Sequence, residues 1–409
     1  MIKNKYSTLI LSTILSCVLI VLGYFVNNLP IFTGENLDQY FLIQKTSEFL
    51  RLSPKYEHND AFFINVSYDK ELVNVNGAGP DGVLGNTSIT DRNKLYELLK
   101  ILKEDSGYKY IVLDIMFDPN EISSADSSLF SLIQSMNNVV IIRDDNIPVP
   151  STTLMNKSAL ADYFATITAT NFVRYQFLDK NESRYIPLKV YEDLYGDVEF
   201  EAHGFKFIPF YTSGGKLCYN SCFIAFDSEH FSTYNKVSKD YSSIDYYNLG
   251  SDLLNYPFMQ QESARKERIT TLAKDKYVFV GNFNEDIHDT YMGPRPGSLI
   301  LYRALKTLEE QKHIVKIWQI LYWFIIFAGV FWAIFEDKEF SNLLPRRISE
   351  KLANHKLISF IVASLSYVTI LFVFSSIEYI LVHKIYSIVL PLYAFMLTKF
   401  IHDYKQFKS

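Results

Sequence analysis

The chain has 409 residues, of which 48% are hydrophobic and 21% are charged, and its formal net charge at pH 7 is −5. Long apolar runs lie at both ends, while the middle has the polarity of a soluble domain, which excludes a purely cytosolic enzyme and a fully embedded transporter. The mild acidity argues against nucleic acid as a partner, because phosphate binding needs clustered Lys and Arg.

The first predicted element is a membrane-spanning helix at residues 7–26, which carry no charge and are long enough to cross a hydrocarbon core of about 30 Å. The alternatives are a cleaved signal peptide, since Lys3 and Lys5 precede the run, and a lipoprotein signal ending at Cys17. We favour an uncleaved anchor, because the run exceeds a usual signal-peptide core and apolar residues follow Cys17.

The middle of the chain, residues 28–316, predicts one α/β domain. Short apolar runs that suit buried strands alternate with segments of helical periodicity, and residues 75–86 predict a loop rich in Gly, Asn and Asp. This alternation predicts a mainly parallel sheet covered by helices. The predicted strands are 61–68, 110–117, 138–143 and 277–281, and the predicted helices are 91–104 and 126–136.

A segment without Pro or Gly follows the last predicted strand and runs from Ser298 to Trp318. It predicts one stiff helix that continues from the domain into the second membrane span, and the alternative is a helix that merely docks on the domain. Three further spans are predicted at 317–335, 357–376 and 385–401, of which the last is interrupted by Lys399.

Basic residues predict the orientation of these four spans. They concentrate in the segment between spans two and three and in both tails, whereas the connector between spans three and four has only Lys384. We therefore expect cytoplasmic termini and an extracytoplasmic α/β domain. The predicted organisation is a cytoplasmic N-terminus and first span over 1–27, the domain over 28–316, and three spans with a short cytoplasmic tail over 317–409.

Acidic side chains follow the predicted strands at the edge where open parallel sheets bind ligands. Asp114 instead lies inside an apolar strand, where an unpaired carboxylate is costly, and we expect Arg184 to be its partner. The carboxylates could also surround a divalent cation, but we favour turns, helix caps and solvated strand ends, so no metal and no other cofactor is predicted. The carboxylates concerned are Asp69, Asp114, Asp118, Asp126 and Asp289.

Two other groups bear on chemistry. Cys218 and Cys222 lie outside the membrane in the predicted topology, where a disulfide is permitted, and the sequence leaves this bond open. His288 and Asp289 resemble half of a catalytic pair, but sequence neighbours rarely present both side chains to one substrate, so we favour a loop role. Because no nucleophile, base and orienting group can be assembled, no catalytic residue is predicted and enzymatic activity is not expected.

The order of these features resembles the CHASE2 family, an extracytoplasmic sensory domain of bacterial membrane proteins. The resemblance depends on Asp69 after the first strand, the segment 110–118, Asp126, Arg184 followed by Pro187 and Leu188, Asp289, and the turn 294–297. The layout of one span before the domain and three after it also fits. The chain departs from the family where residues 299–304 replace the usual His-Ala.

The resemblance implies a sensory protein in the bacterial cytoplasmic membrane that binds an extracytoplasmic ligand. Its candidate ligand-binding residues are Asp69, Asp114, Asp118, Asp126, Arg184 and Asp289. Family members often continue into a cytoplasmic effector, and because this sequence ends at Ser409 we expect a separately encoded membrane or cytoplasmic partner. A homodimer is also compatible. The alternative is a structural or assembly subunit of a membrane complex that binds no small molecule.

Overall fold

The structure is a computed structural model. It describes residues 5–28, 37–50, 60–76, 83–105, 107–144, 147, 149–161, 174–179, 181–196, 199–205, 208–224, 230–233, 243–255, 262–290, 293–336, 356–382 and 389–408. The described α-helices are α1 (Lys5–Asn28), α2 (Leu37–Phe49), α3 (Arg92–Glu104), α4 (Asp126–Ser135), α5 (Ile186–Tyr195), α6 (Glu262–Ala273), α7 (Gly297–Glu309), α8 (Ile317–Phe335), α9 (Lys356–Val382) and α10 (Val389–Lys408).

The described strands are short, and most of them precede or follow a helix. They are β1 (Ala61–Asn65), β2 (Lys70–Asn76), β3 (Val83–Thr90), β4 (Tyr110–Asp114), β5 (Val139–Arg143), β6 (Ser158–Leu160), β7 (Arg174–Gln176), β8 (Phe200–Phe205), β9 (Ile208–Ser213), β10 (Lys216–Cys218), β11 (Ser221–Phe223), β12 (His230–Thr233), β13 (Ser243–Asn248), β14 (Tyr277–Gly281), β15 (Ile287–Thr290) and β16 (Gly293–Pro296).

A seven-stranded sheet forms the centre of the domain, in the order β12-β13-β1-β14-β4-β5-β6. All of its described strand pairs are parallel, so the predicted mainly parallel sheet covered by helices is confirmed. The central strands are apolar along their whole length because both faces of the sheet are covered. Asn65, Gly281 and Asp114 end three neighbouring strands in register, which brings them together at the carboxyl edge.

Helices pack on both faces of this sheet. On one face α3, α4 and α6 bury an apolar core, in which Leu95, Leu98, Leu99 and Leu102 form the predicted inner stripe of α3. Asp91 caps that helix, since its Oδ1 accepts a hydrogen bond from Lys94 N at 3.0 Å. On the other face α5 and α7 cover the sheet together with β7 and residues of the small β8-β9-β10 sheet.

The predicted loop at 75–86 is wrong where the structure describes it. Residues 75, 76 and 83–86 belong to an antiparallel hairpin of β2 and β3, and residues 77–82 lie outside the described residues. Leu72 is exposed and Val73 is buried, which is the alternation of a strand with one covered face. The Gly and Asn content of this segment concealed that alternation.

The predicted continuous helix from Ser298 to Trp318 is also wrong. Helix α7 ends at Glu309, Gln311 has a left-handed backbone with φ of 53°, and α8 begins at Ile317. The intervening segment instead pairs with β10, where Val315 N donates to Leu217 O at 2.9 Å. Helix α7 therefore docks on the sheet domain, and β10 holds the connection that leads into α8.

Three described helical segments are long and apolar enough to cross a membrane: Lys5–Val26, Ile317–Phe335 and Ser364–Leu381. The sequence predicts four spans, and its fourth, at 385–401, falls partly outside the described residues and partly in α10. Helices α1, α8, α9 and α10 share an apolar core, to which Leu19, Phe327, Leu371 and Phe395 contribute buried side chains. Glu378 of α9 joins this bundle by accepting hydrogen bonds from Gln319 Nε2 at 3.2 Å and Trp323 Nε1 at 3.0 Å.

Candidate binding site at the carboxyl edge of the sheet

Asp114 occupies the last position of β4 and is 9% exposed. Ser298 Oγ donates a hydrogen bond to Asp114 Oδ2 at 2.6 Å, and the Asp286 carboxyl is hydrogen-bonded to that of Asp114. Two carboxyl groups can share a hydrogen bond only when one of them holds a proton. Burial, and then the negative charge of Asp286, raise the pKa of Asp114 to about 7, so this carboxyl keeps a proton far above its ordinary range.

Two glycines make room for this acid pair. A Cβ on Gly297 would lie 2.2 Å from Asp286 Oδ2, and a Cβ on Gly281 would lie 2.3 Å from Ser298 Oγ. Gly297 is also the first residue of α7, and its backbone N–H donates to Asp286 O at 3.0 Å. The end of β14 and the start of α7 can therefore approach the carboxyl groups only because both positions lack a side chain.

His288 extends the pair toward solvent. Its Nε2 lies 2.9 Å from Asp286 Oδ1, and an imidazolium at this position lowers the pKa of Asp114 in opposition to burial. His288 lies in β15, which pairs with the β16 strand that leads into α7. Ser298, Asp114, Asp286 and His288 thus form one row of neighbouring polar groups from the start of α7 to the β15-β16 hairpin.

Asp114, Asp286 and His288 of this row line a cavity of about 390 Å³, a volume within the range of small-molecule sites. Apolar side chains supply much of the wall, and charged groups of both signs lie among them. The lining residues with acidic, basic or imidazole side chains are Lys70, Arg92, Arg143, Asp114, Glu121, Asp286 and His288.

Arg92 is the most buried of these cations, with 1% of its surface exposed. Its guanidinium carbon lies 4.3 Å from the centre of the Phe117 ring, and its Nε lies 3.5 Å from Asp126 Oδ1 without a hydrogen bond. Among the described residues, Nε and Nη1 have no hydrogen-bond partner. Burial lowers the pKa of Arg92, whereas the charges of Asp126, Glu121 and Glu71 oppose that shift.

The structure brings only part of the sequence-predicted site together. Asp114 lines the cavity, and Asp126 reaches it indirectly through its ion pair with Arg92. Asp69 is buried elsewhere, between Lys94 Nζ at 2.7 Å and Gly250 N at 2.9 Å, where it joins α3 to the turn after β13. Asp69 therefore does not line this cavity.

The other three predicted site residues do not line this cavity. Asp118 Oδ1 accepts hydrogen bonds from Asn120 N and Nδ2 in a local turn, and Asp289 is exposed. The expected pairing of Asp114 with Arg184 is wrong, because Arg184 Nε lies 3.0 Å from Glu192 Oε2 of the adjacent helix α5. A cationic side chain two residues before a helix reaches an acidic residue of that helix more readily than it reaches an acidic residue across the sheet.

Cys218 is a buried free thiol, so the disulfide to Cys222 that the sequence left open is not formed. Cys218 ends β10, which pairs with β9, whereas Cys222 lies in β11, which pairs with β7. Among the described residues, no group of three or more His, Cys, Asp or Glu side chains is placed to hold a metal ion.

Sequence reasoning missed Asp286, His288, Ser298 and Arg92 as site residues. The signal for the first two was their spacing, because alternate residues of an extended segment point to one side. His288 was instead considered with its neighbour Asp289, which faces away and is exposed. Arg92 gave no signal, since a basic residue in the first turn of an amphipathic helix is expected to be solvated.

A family model described as the CHASE2 domain matches residues 15–335. The chain belongs to the CHASE2 domain family. CHASE2 is a family of extracytoplasmic sensory domains, and the match includes the sheet, the cavity, α1 from residue 15 and the whole of α8. Comparisons with curated proteins and with solved structures returned no match.

Replacing Asp114 with Asn tests the protonated acid pair. The pKa of Asp114 is raised from 3.8 to about 7 in the folded protein, so folding binds a proton between these values and the wild type loses stability as pH rises from about 4 to about 7. An amide cannot ionise and can still donate to Asp286. We expect the variant to exceed the wild type by about 2–4 kcal/mol at pH 8, and by little at pH 4.5.

The measurement is chemical denaturation of the full-length protein in detergent at both pH values. Asp289→Asn is the matched control, because Asp289 is exposed in the same hairpin, and its difference from the wild type should not change with pH. A difference between Asp114→Asn and the wild type that is flat with pH would contradict the assignment.

Proposed function

We propose that this CHASE2 protein is a membrane-anchored sensor that binds an extracytoplasmic small molecule in the cavity and transmits the bound state through its membrane helices to a partner. The observation that carries the proposal is the position of the acid pair directly on the first turn of α7. A ligand that changes the hydrogen bond between Asp114 and Ser298 acts on a helix whose far end leads to the membrane.

The first connection to the membrane runs along α7. Ser298 bonds this helix to Asp114 at one end, and residues 313–315 beyond its other end bond to the β10 region. There Tyr219 N donates to His313 O at 2.9 Å, and Val315 N donates to Leu217 O at 2.9 Å. Helix α8 begins two residues later, so a displacement of α7 reaches the span through a short bonded segment.

The second connection joins the same β10 region to α1. Tyr24 Oη donates to Cys218 O at 2.8 Å and accepts from Tyr211 N at 3.0 Å. Asn28 Oδ1 accepts from Asn220 N at 2.7 Å. The end of the first span and the approach to the second are thus bonded to one strand and the loop after it, which supports a common response of both spans.

We further propose that the site binds its ligand without converting it. The hydroxyl of Ser298 donates to Asp114, so its proton faces an acid that is itself protonated instead of a base that would activate it. The buried pair of Asp114 and Asp286 carries one proton and lies next to the first turn of α7. This arrangement suits recognition of a ligand and a response of that helix. The proposal also includes a fourth span in α10, which the apolar run at 385–401 supports, and cytoplasmic termini, which the distribution of basic residues supports. The family supports a location in the bacterial cytoplasmic membrane.

A ligand screen on the full-length protein in lipid nanodiscs tests the sensory role. The panel contains amino acids, organic acids, sugars, nucleotides and divalent cations. Calorimetry is the readout, because Trp318, Trp323 and Trp332 all lie in α8 and Trp fluorescence would not report unfolding of the sheet domain. We expect at least one compound to raise the Tm by several degrees, since a ligand that binds only the folded state stabilises it. That compound should also change hydrogen exchange at the end of α1 and at residues 217–220 and 310–316.

Tyr24→Phe is the control variant for this screen, because it removes the hydroxyl that bonds α1 to β9 and β10. It should keep the Tm shift and lose the exchange response at the end of α1. If no compound binds and a single membrane protein co-purifies, the structural-subunit alternative replaces the sensory role. If a compound binds and exchange at these segments is unchanged, the proposed transmission is wrong.

Reporter fusions test the proposed orientation. Alkaline phosphatase is active only outside the cytoplasm, so a fusion after Ser221 should be active and one after Lys338 inactive. Activity after Lys338 together with inactivity after Ser221 would place the domain inside the cell.

A further inference from the structure

Helix α2 carries large apolar side chains on its exposed face. Among the described side chains of residues 41–50, the exposed apolar ones are Phe41, Leu42, Phe49 and Leu50. Phe41, Lys45 and Phe49 recur at intervals of four residues, and Leu42 lies beside them on the same face of the helix. An apolar surface of this kind marks a contact with another molecule or with a membrane.

The opposite face of α2 packs on the protein. Ile43, Gln44 and Ser47 are each at most 2% exposed, and α2 contacts α9. Helix α9 contains the apolar segment Ser364–Leu381, which is long enough to cross a membrane, and it exposes apolar side chains of its own. A hydrocarbon layer that surrounds α9 therefore lies beside α2 as well.

The length and the charge of α2 suit the surface of a bilayer and not its centre. Its 13 residues make a helix of about 20 Å, which is shorter than a hydrocarbon core of about 30 Å. Lys45 lies on the exposed face, and its Nζ is 5.9 Å from the centre of the Phe41 ring. The long stem of a lysine lets its ammonium group stay among lipid headgroups while neighbouring aromatic rings enter the acyl region.

We propose that α2 lies in the membrane interface, with Phe41, Leu42, Phe49 and Leu50 in contact with lipid acyl chains. Residues 29–36 alone separate α2 from α1, so the leaflet concerned is the one on the side of the sheet domain. The bilayer is the occupant of this face because the helix that supports α2 is a candidate membrane span. The inference rests on the proposed membrane anchoring and is independent of ligand binding.

The reactivity of introduced cysteines with a charged maleimide tests the proposal, on the full-length protein in nanodiscs that hold one copy each. Phe49→Cys and Leu72→Cys are the matched variants, because these positions are 86% and 77% exposed in the protein. Leu72 belongs to the β2-β3 hairpin, which borders the cavity at the carboxyl edge. Both variants also carry Cys222→Ser, and the native Cys218 is buried.

We expect the thiol at position 49 to react about tenfold or more slowly than the thiol at position 72, because lipid keeps a charged reagent away from it. Equal rates at the two positions would contradict the proposal. If Phe49→Cys does not fold, Leu42→Cys on the same face of α2 provides the second test, with the same expected protection.

The native Cys17 separates this inference from the membrane anchoring on which it rests. It is exposed on α1, within the apolar segment Lys5–Val26, so lipid should protect it if α1 crosses the membrane. A protected Cys17 together with a fast reaction at position 49 would overturn the α2 proposal alone. A fast reaction at Cys17 would contradict the anchoring itself.

The number of copies in each disc distinguishes lipid from a second copy of the chain. Protection of position 49 in discs with a single copy supports the lipid contact, because no second copy is present to cover the helix. Protection that is absent from single-copy discs and appears only in discs with two copies would assign this face to a dimer contact and overturn the proposal.

Discussion

The burial of one carboxyl group at the end of a strand is the constraint around which the site is built. Asp114 follows four buried apolar residues of β4, where an ionised carboxylate without compensation would cost several kcal/mol. Asp114 keeps a proton that it shares with Asp286, it accepts a hydrogen bond from the hydroxyl of Ser298, and two glycines leave room for the group. These requirements fix the end of β14, the β15-β16 hairpin and the start of α7 around a single point.

Helix α7 connects this point to the rest of the domain because it is held at both edges of the sheet. At the carboxyl edge Ser298 bonds to Asp114. At the other edge Tyr302 Oη donates to Asp60 Oδ1, and Lys306 Nζ lies 2.7 Å from both Asp60 Oδ2 and Glu309 Oε2. The hydrogen bonds that Asp60 accepts from Lys306 and Tyr302 lower its pKa despite burial, so this end stays an ion pair where the other end holds a proton. The two ends of α7 therefore differ in electrostatic state, because the Asp60 end is an ion pair and the Asp114 end holds a proton.

The parts of the fold that could be predicted from sequence are those fixed by local periodicity. The apolar runs of β1, β4 and β14 and the Leu stripe of α3 each encode burial within a few residues, and all four elements formed. However, β1 and β4 end at Asn65 and Asp114, three residues before the predicted strand ends at 68 and 117. The errors concern choices between distant partners. Helical periodicity could not show that β10 would take up residues 314 and 315 and end the predicted long helix, nor that Arg184 would choose Glu192 over Asp114. The site itself depends on Asp286, His288 and Arg92, which only the folded chain brings to one cavity.

Infrared spectroscopy of the carboxylic acid C=O stretch tests the central claim most directly, because it detects a protonated carboxyl group itself. Difference spectra of the full-length protein between wild type and Asp114→Asn at pH 6.5 should show one protonated carboxyl band that is lost in the variant and disappears from the wild type as the pH passes through about 7. A wild type without such a band at pH 6.5, or a band that persists in Asp114→Asn, would contradict the account.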